Sequence, residues 1–192
     1  MFTQEPRNLF FIIEGIDNVG KSTLIKNLKN ALNDYVFQTL HYSSVKQPTL
    51  ELNIKYSTEL YMQMFSMMLN QQRFDKSGII CDRSHLGEMV YGPIYRKHPG
   101  TYVLDIEKQF MCSRSLWDNL FLITLVDKAE NVIARDDGLS FSVDVDEKDA
   151  EIYAFKEAHE KSQIKNKLLV DVSSYNEEKL IKHVLQYISS QY

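Results

Sequence analysis

Nine consecutive residues constrain this chain more than any others: Gly15-Ile16-Asp17-Asn18-Val19-Gly20-Lys21-Ser22-Thr23. They fit G-x-x-x-x-G-K-[ST], a loop that wraps phosphate groups. Such a pattern carries weight only between a strand and a helix. Leu9-Phe10-Phe11-Ile12-Ile13 before it is an unbroken apolar run, which predicts a strand covered on both faces. Leu24, Ile25, Leu28, Ala31 and Leu32 after it recur with helical spacing. In that setting the glycines let main-chain N–H groups close around phosphate oxygens, and the helix N-terminus adds its positive dipole end. Lys21 is placed to reach β/γ-phosphates, and the Ser22 hydroxyl to hold Mg²⁺.

With 192 residues, the chain can build one substantial core, and a single domain over 1–192 is expected. Its hydrophobic and charged fractions, 44% and 25%, are those of an ordinary globular protein. A net charge of -4 argues against a broad surface for polymeric nucleic acid, while a few placed cations suffice for a nucleotide. Cys81 and Cys112 are the only cysteines. Neither a disulfide scaffold nor a zinc cluster can be made from two, so a reducing compartment is expected: the cytoplasm, or the host cytoplasm for a virus-encoded chain. No apolar run approaches the ~20 residues needed to span a bilayer. The first seven residues lack the basic-then-apolar form of a signal peptide.

Strands and helices alternate along the chain. Tyr35 to Tyr42 reads as a second strand, Ser43 to Pro48 as a loop, and Leu50 to Phe74 as a helix. That helix is apolar almost all round between Leu60 and Leu69, as a core helix, a subunit interface or a pocket wall would be. Ile79-Ile80-Cys81 is a short buried strand ending at Asp82-Arg83-Ser84. A helix is expected over His85 to Tyr91, stopped by Gly92-Pro93, and another over Leu104 to Trp117. Leu120 to Val126 is the clearest central strand. A short helix over Ala129 to Arg135 precedes an acidic segment, about 136–148, expected to be a mobile lid. Asp149 to Asn166 is predicted helical and Leu168 to Val172 a strand. Ser174 and Glu177 fit a capping box for a last helix. The expected fold is α/β: a phosphate-loop domain with a parallel sheet flanked by helices. Ligands of such sheets sit at the carboxyl ends of the strands. Gly15 to Thr23, Tyr42 to Gln47, Asp82-Arg83 and Ser173 to Asn176 all follow strands and collect there.

Several side chains on that surface could carry chemistry. Asp82 can organise Mg²⁺, directly or through water, and Arg83 can hold a second phosphate in bidentate fashion; the alternative is a turn with local hydrogen bonds. Arg135 can neutralise charge in a transition state, or be an ordinary arginine at a helix C-terminus. Phe65 and Tyr91 can stack on a base or pack on a sugar, or simply fill the core. Glu88 and His85 can contact sugar or phosphate, or be solvated helix positions.

Glu14-Gly15-Ile16-Asp17 joined to the phosphate loop, Asp82-Arg83 with Tyr91 downstream, and Arg135 ahead of Glu151 to His159 resemble the thymidylate kinase family in order and spacing. The stretch Asp82 to Arg96 is also similar to phage-encoded deoxynucleotide kinases. The resemblance implies ATP as donor, with Lys21 and Ser22 serving ATP and Mg²⁺; the loop as a whole, Gly15, Asp17, Asn18, Val19, Gly20, Lys21, Ser22 and Thr23, is the expected ATP site, and Ser22 and Asp82 are the expected metal residues. The resemblance further implies Asp17 on the deoxyribose 3′-hydroxyl, Arg83 on the monophosphate, Tyr91 crowding the 2′ position and Phe65 stacking on the base, with Arg135 as the lid arginine; Lys21, Arg83 and Arg135 are the expected catalytic residues, and Glu88 is expected near the substrate from its place just beyond Asp82. It also implies frequent homodimers, with the Leu60 to Leu69 helix as one candidate interface. The chain departs from the family at the acceptor side. Leu69 stands where the family has an arginine, with Asn70, Gln71, Gln72 or Arg73 as candidate substitutes. Gly92 replaces a base-proximal glutamine, and the loop after the second strand carries only Lys46.

The expected activity is phosphoryl transfer from ATP·Mg²⁺ to a deoxynucleoside monophosphate, first of all dTMP. A monophosphate is already ionised at neutral pH, so alignment and charge neutralisation suffice. A deoxynucleoside kinase is the alternative. It needs a carboxylate base after the second strand, and His41 to Pro48 contains no acid, leaving Glu51 and Glu88. A phosphate-loop regulatory module without an acceptor is a third reading.

Overall fold

A computed structural model describes residues 7–43 and 47–192. The expectation about the first six residues and the Lys46 position lie outside these. Five strands, β1 (Asn8–Gly15), β2 (Val36–His41), β3 (Ser77–Asp82), β4 (Leu120–Val126) and β5 (Asn166–Asp171), form one sheet in the order β2-β3-β1-β4-β5. Every pairing is parallel. The central strands β1 and β4 are buried along their whole length, as their unbroken apolar runs require. β2 lies at an edge and is mostly exposed, Val36 most of all.

The chain leaves β1 through α1 (Lys21–Ala31) toward the β2 edge, then returns through α2 (Leu50–Gln71) and continues outward to β4 and β5. Right-handed crossovers put α1 on one face and the helices of the return path on the other. Accordingly α1 packs on α8 (Glu177–Ser189), and on the opposite face α2 packs on α4 (Val103–Phe110), and α3 (Gly87–Tyr91) and α6 (Ala129–Ile133) on α7 (Val145–Lys161). The direction of winding reverses between β1 and β3. A crevice opens outside the carboxyl ends of strands at such a point, and here those ends carry Gly15 and Asp82. Among the described residues no helix is long and apolar enough to cross a membrane.

Several expected boundaries are corrected. Gly92-Pro93 does not stop the third helix, which widens into a π-helical turn over Gly92–Arg96. A Cβ on Gly92 would lie 2.8 Å from the His98 carbonyl oxygen, so glycine admits this close approach. The helix predicted over Leu104 to Trp117 is two, α4 and α5 (Arg114–Asn119). At the break the Trp117 indole N–H donates to the Phe110 carbonyl at 2.6 Å, replacing a lost helical bond. The helix α7 begins at Val145, inside the acidic segment. Asp144 caps it by accepting from the Glu147 N–H at 3.1 Å. Asp146 and Glu147 occupy its first turn, where the dipole favours negative charge. That explains part of an acidic run that had suggested only a solvated flap. It ends at Lys161, because Asn166 starts β5 and donates to the carbonyls of Asp118 and Leu120. The cap of α8 is Asn176, accepting from the Lys179 N–H at 2.9 Å; Ser174 belongs to a 3₁₀ turn.

Candidate active site

The loop between β1 and α1 is shaped by backbone conformation. Gly15 has φ +138°, and a Cβ there would meet the Leu125 carbonyl oxygen of β4 at 2.3 Å. Gly20 caps α1 with φ +101° and open space where a Cβ would stand, so only the left-handed conformation demands glycine. Asn18 also takes positive φ, which asparagine tolerates better than most residues. The buried Lys21 ammonium folds back onto the loop, donating to the carbonyls of Gly15 at 2.9 Å and Ile16 at 2.6 Å. Burial and the Arg83 charge lower its pKa to about 8 against the pull of Asp17, Asp82 and Glu14.

A cavity of about 620 Å³ lies over this loop. Asp17 to Thr23 form its floor, with Asp82, Arg83 and His41 on one side and Arg135, Asp137 and Leu139 above. Val172, Tyr175 and Leu180 wall its far end. The buried Asp82 Oδ1 has no hydrogen-bond partner among the described residues. Its other oxygen is 3.5 Å from His41 Nδ1. One unpartnered carboxylate oxygen on a residue that lines the same cavity as Ser22 fits Mg²⁺, which keeps several waters and takes few protein ligands. Among the described residues no group of three or more acidic, histidine or cysteine side chains is arranged to hold a metal ion.

A second cavity, of about 330 Å³, opens beside the first and shares Asp17, His41, Arg83 and Leu139 with it. Glu14, Tyr61, Ser84, Glu88, Tyr91, Arg96, Phe141 and Phe155 complete its main lining. Arg83, itself in a left-handed conformation, stands at the junction and pairs with Asp17. Glu88 is buried and accepts from Arg96 at 2.6 Å and from the Tyr102 hydroxyl at 3.2 Å. Tyr91 is buried against Phe141 and Phe155, with its hydroxyl unpartnered among the described residues. Burial, chiefly, pushes its phenol well above the ordinary value.

The segment before α7 covers both cavities. Asn18 donates to Asp136 at 3.1 Å and to Ser140 at 3.3 Å, joining it to the phosphate loop. Phe141 stacks on Tyr95 with 5.1 Å between ring centres. Arg135 lines the larger cavity, but its guanidinium pairs with the buried Asp127.

Lys21, Ser22, Asp82 and Arg135 line the larger cavity, Glu88 and Tyr91 the smaller, and Arg83 both. Phe65 lines neither. It is fully buried between His85, Phe110 and Trp117. Tyr61, one turn nearer the strand carboxyl ends, reaches the smaller cavity instead. The substitutes Asn70 to Arg73 are also misplaced. A helix of this length spans about 33 Å and carries them toward the amino ends of the strands, where the Phe74 carbonyl meets Asn8 at the start of β1. Glu51 does not line either cavity. Sequence reasoning missed His41, Arg96, Leu139 and Phe141. Arg96 was hidden by the assumption that Gly92-Pro93 ended the helix, and Phe141 by reading its segment as solvated.

No protein-family model matches this chain, and no curated protein sequence matches it. Solved structures do match. The YorR protein of Bacillus subtilis, in complex with phosphorylated GDP, is 14% identical with a TM-score of 0.62, over 93% of this chain and 95% of that one. Thymidylate kinase of Candida albicans is 15% identical with a TM-score of 0.61, over 97% and 93%. Deoxyadenosine kinase of M. mycoides with bound dCTP is 18% identical with a TM-score of 0.53, over 95% and 100%. At such identities the likeness is one of fold: a parallel α/β sheet flanked by helices.

Proposed function

We propose that this chain transfers the γ-phosphoryl group of ATP to a deoxynucleoside monophosphate, dTMP first among them. The observation that carries this reading is the junction of the two cavities, where Arg83 and Asp17 belong to both. Two nucleotides bound on either side would meet phosphate to phosphate across one guanidinium.

On the donor side the main-chain amides of Asn18 to Thr23 and the Lys21 ammonium hold the β- and γ-phosphates. Lys21 leaves the carbonyls of Gly15 and Ile16 to do so. Ser22 and Asp82 would hold Mg²⁺, which would supply charge neutralisation on the phosphate oxygens. On the acceptor side Arg83 exchanges Asp17 for the monophosphate, and its buried Nε, unpartnered among the described residues, provides a further donor. Tyr91 closes against the sugar. Arg135, released from Asp127, approaches the transferring group as the segment above the loop settles. A phosphate dianion needs no general base, so catalysis consists of alignment and electrostatic stabilisation.

A deoxynucleoside acceptor is the second reading. The smaller cavity carries Glu14, Asp17 and Glu88 against Arg83 and Arg96, and both arginines are already paired. Such a balance suits a neutral acceptor as well as an anionic one. ADP release over a panel of ribo- and deoxyribonucleoside monophosphates and the free nucleosides separates the readings. Stimulation by a deoxynucleoside monophosphate is expected. Stimulation by nucleosides alone would favour the second reading, and none by any acceptor would exclude both.

A further inference from the structure

The segment 136–144 runs from Arg135 to α7 without helix or strand. Its large apolar residues bury little surface: Leu139 is 83% exposed, Phe141 62% and Val143 57%. Such a stretch belongs to the least stable parts of a fold and is held by a few identifiable contacts. Here those contacts attach it to both cavities. Asn18, which lines the larger cavity, donates through its side-chain amide to Asp136 at 3.1 Å and to Ser140 at 3.3 Å. Phe141, which lines the smaller cavity, stacks on Tyr95 and lies 5.6 Å from Tyr91 between ring centres. Leu139, between the two attachments, lines both cavities.

Asparagine suits the first attachment. Its φ of +60° is left-handed, which asparagine accepts better than most residues. Glycine would accept it more easily but would bring no side-chain donor to the segment. Asp136 is turned to receive that donor, since its other oxygen accepts from the Gly138 N–H at 3.0 Å.

The main chain of Asn18 belongs to the loop that closes on phosphate, so a bound donor fixes the residue whose amide holds Asp136. An acceptor in the smaller cavity meets the same segment from its other end, at Phe141 and Leu139. The entropy of ordering the segment is lost once, to the first ligand, and the second binds without that loss. We propose that Asn18 is a positioning residue: through segment 136–141 its side-chain amide makes donor and acceptor strengthen each other's binding. This rests on reading the two cavities as the donor and acceptor sites.

Calorimetric titration with and without saturating ADP·Mg²⁺ tests it, using the four common deoxynucleoside monophosphates and the free deoxynucleosides as acceptors. In the wild type ADP is expected to tighten acceptor binding by about fivefold or more, the lower range of coupling between sites. Asn18→Gly keeps the left-handed backbone and removes only the amide. Phe141→Ala cuts the other attachment. Each variant, shown folded by its melting curve, is expected to lose most of the coupling. The attachments lie in series, so the double variant is expected to match the single ones rather than multiply their effects. Any coupling that Arg83 and Asp17 carry directly stays in all three. Val143→Ala, in the same segment but on neither cavity, is expected to keep the wild-type coupling.

An acceptor that binds the wild type equally well with and without ADP overturns the inference alone. So does coupling retained in N18G, effects that multiply in the double variant, or an equal loss in V143A. Binding of nucleosides but no monophosphate overturns the monophosphate reading, and the same comparison made with the nucleoside still decides the inference. Binding of neither kind of acceptor overturns both.

Discussion

The two cavities are built by different means. The larger rests on one run of nine residues, Gly15 to Thr23, whose backbone conformation does most of the shaping. The smaller gathers side chains from β1, β2, α2, the end of β3, α3, the turn after it, the segment before α7 and α7 itself. Its charged groups are mostly matched to one another, Arg83 to Asp17 and Arg96 to Glu88. Main-chain amides recognise what all nucleoside triphosphates share. Specificity has to come from side chains, and a site assembled from distant segments can change them one at a time.

This contrast can be broken or sharpened by substitution. The largest effect is expected from Lys21→Ala, which removes the one ammonium that lines the larger cavity among the described residues: turnover should fall by ~10²–10³-fold, as for other charge-stabilising groups, with the melting temperature little changed. Steady-state kinetics with a scanning calorimetric trace checks both halves. Near-normal turnover would dissolve the distinction between the regions.

Next is the pair Phe65→Ala and Tyr61→Ala. Phe65 is core, so its truncation should cost ~3–5 kcal/mol of stability without a selective change in acceptor KM. Tyr61→Ala should raise acceptor KM and leave ATP KM alone. Chemical denaturation and kinetics on both variants decide it; the reverse pattern would restore Phe65 to the site.

A third test uses pH. The Lys21 pKa is lowered to about 8 in the free protein. Bound phosphate favours the charged ammonium, so affinity for ATP is full below that value and falls as pH rises through it, by up to about tenfold per unit. Lys21→Arg, whose guanidinium stays charged, should lack this dependence. Titrations between pH 7 and pH 9.5 show whether it does.

The smallest effect is expected from Tyr102→Phe, which removes one of the hydrogen bonds to Glu88 while Arg96 remains. A change of about 0.5–1.5 kcal/mol in acceptor binding, with none for ATP, would sharpen the contrast.

The same contrast governs how much the sequence disclosed. The sheet was legible because its central strands are continuous apolar runs, and the phosphate loop because its residues are contiguous. Asp82 and Arg83 were legible because they end a buried strand. Tyr61 and Phe65 were not distinguishable, since both are aromatic residues on a helix apolar nearly all round. Only the direction of α2 across the sheet decides which one reaches the cavity. Arg96 depends on a π-helical turn that Gly92-Pro93 does not announce. The acidic run before α7 looked like a flap until Asp144 emerged as a cap.

The central claim is that donor and acceptor cavities are one continuous site joined at Arg83 and Asp17. Affinity for a bisubstrate compound, adenosine linked through a polyphosphate chain to a deoxynucleoside, tests it most directly. Filling both cavities at once should bind orders of magnitude more tightly than ATP or the monophosphate alone, with Arg83→Ala removing most of the gain. A compound that binds no better than ATP would mean that the two cavities do not act on each other's ligands.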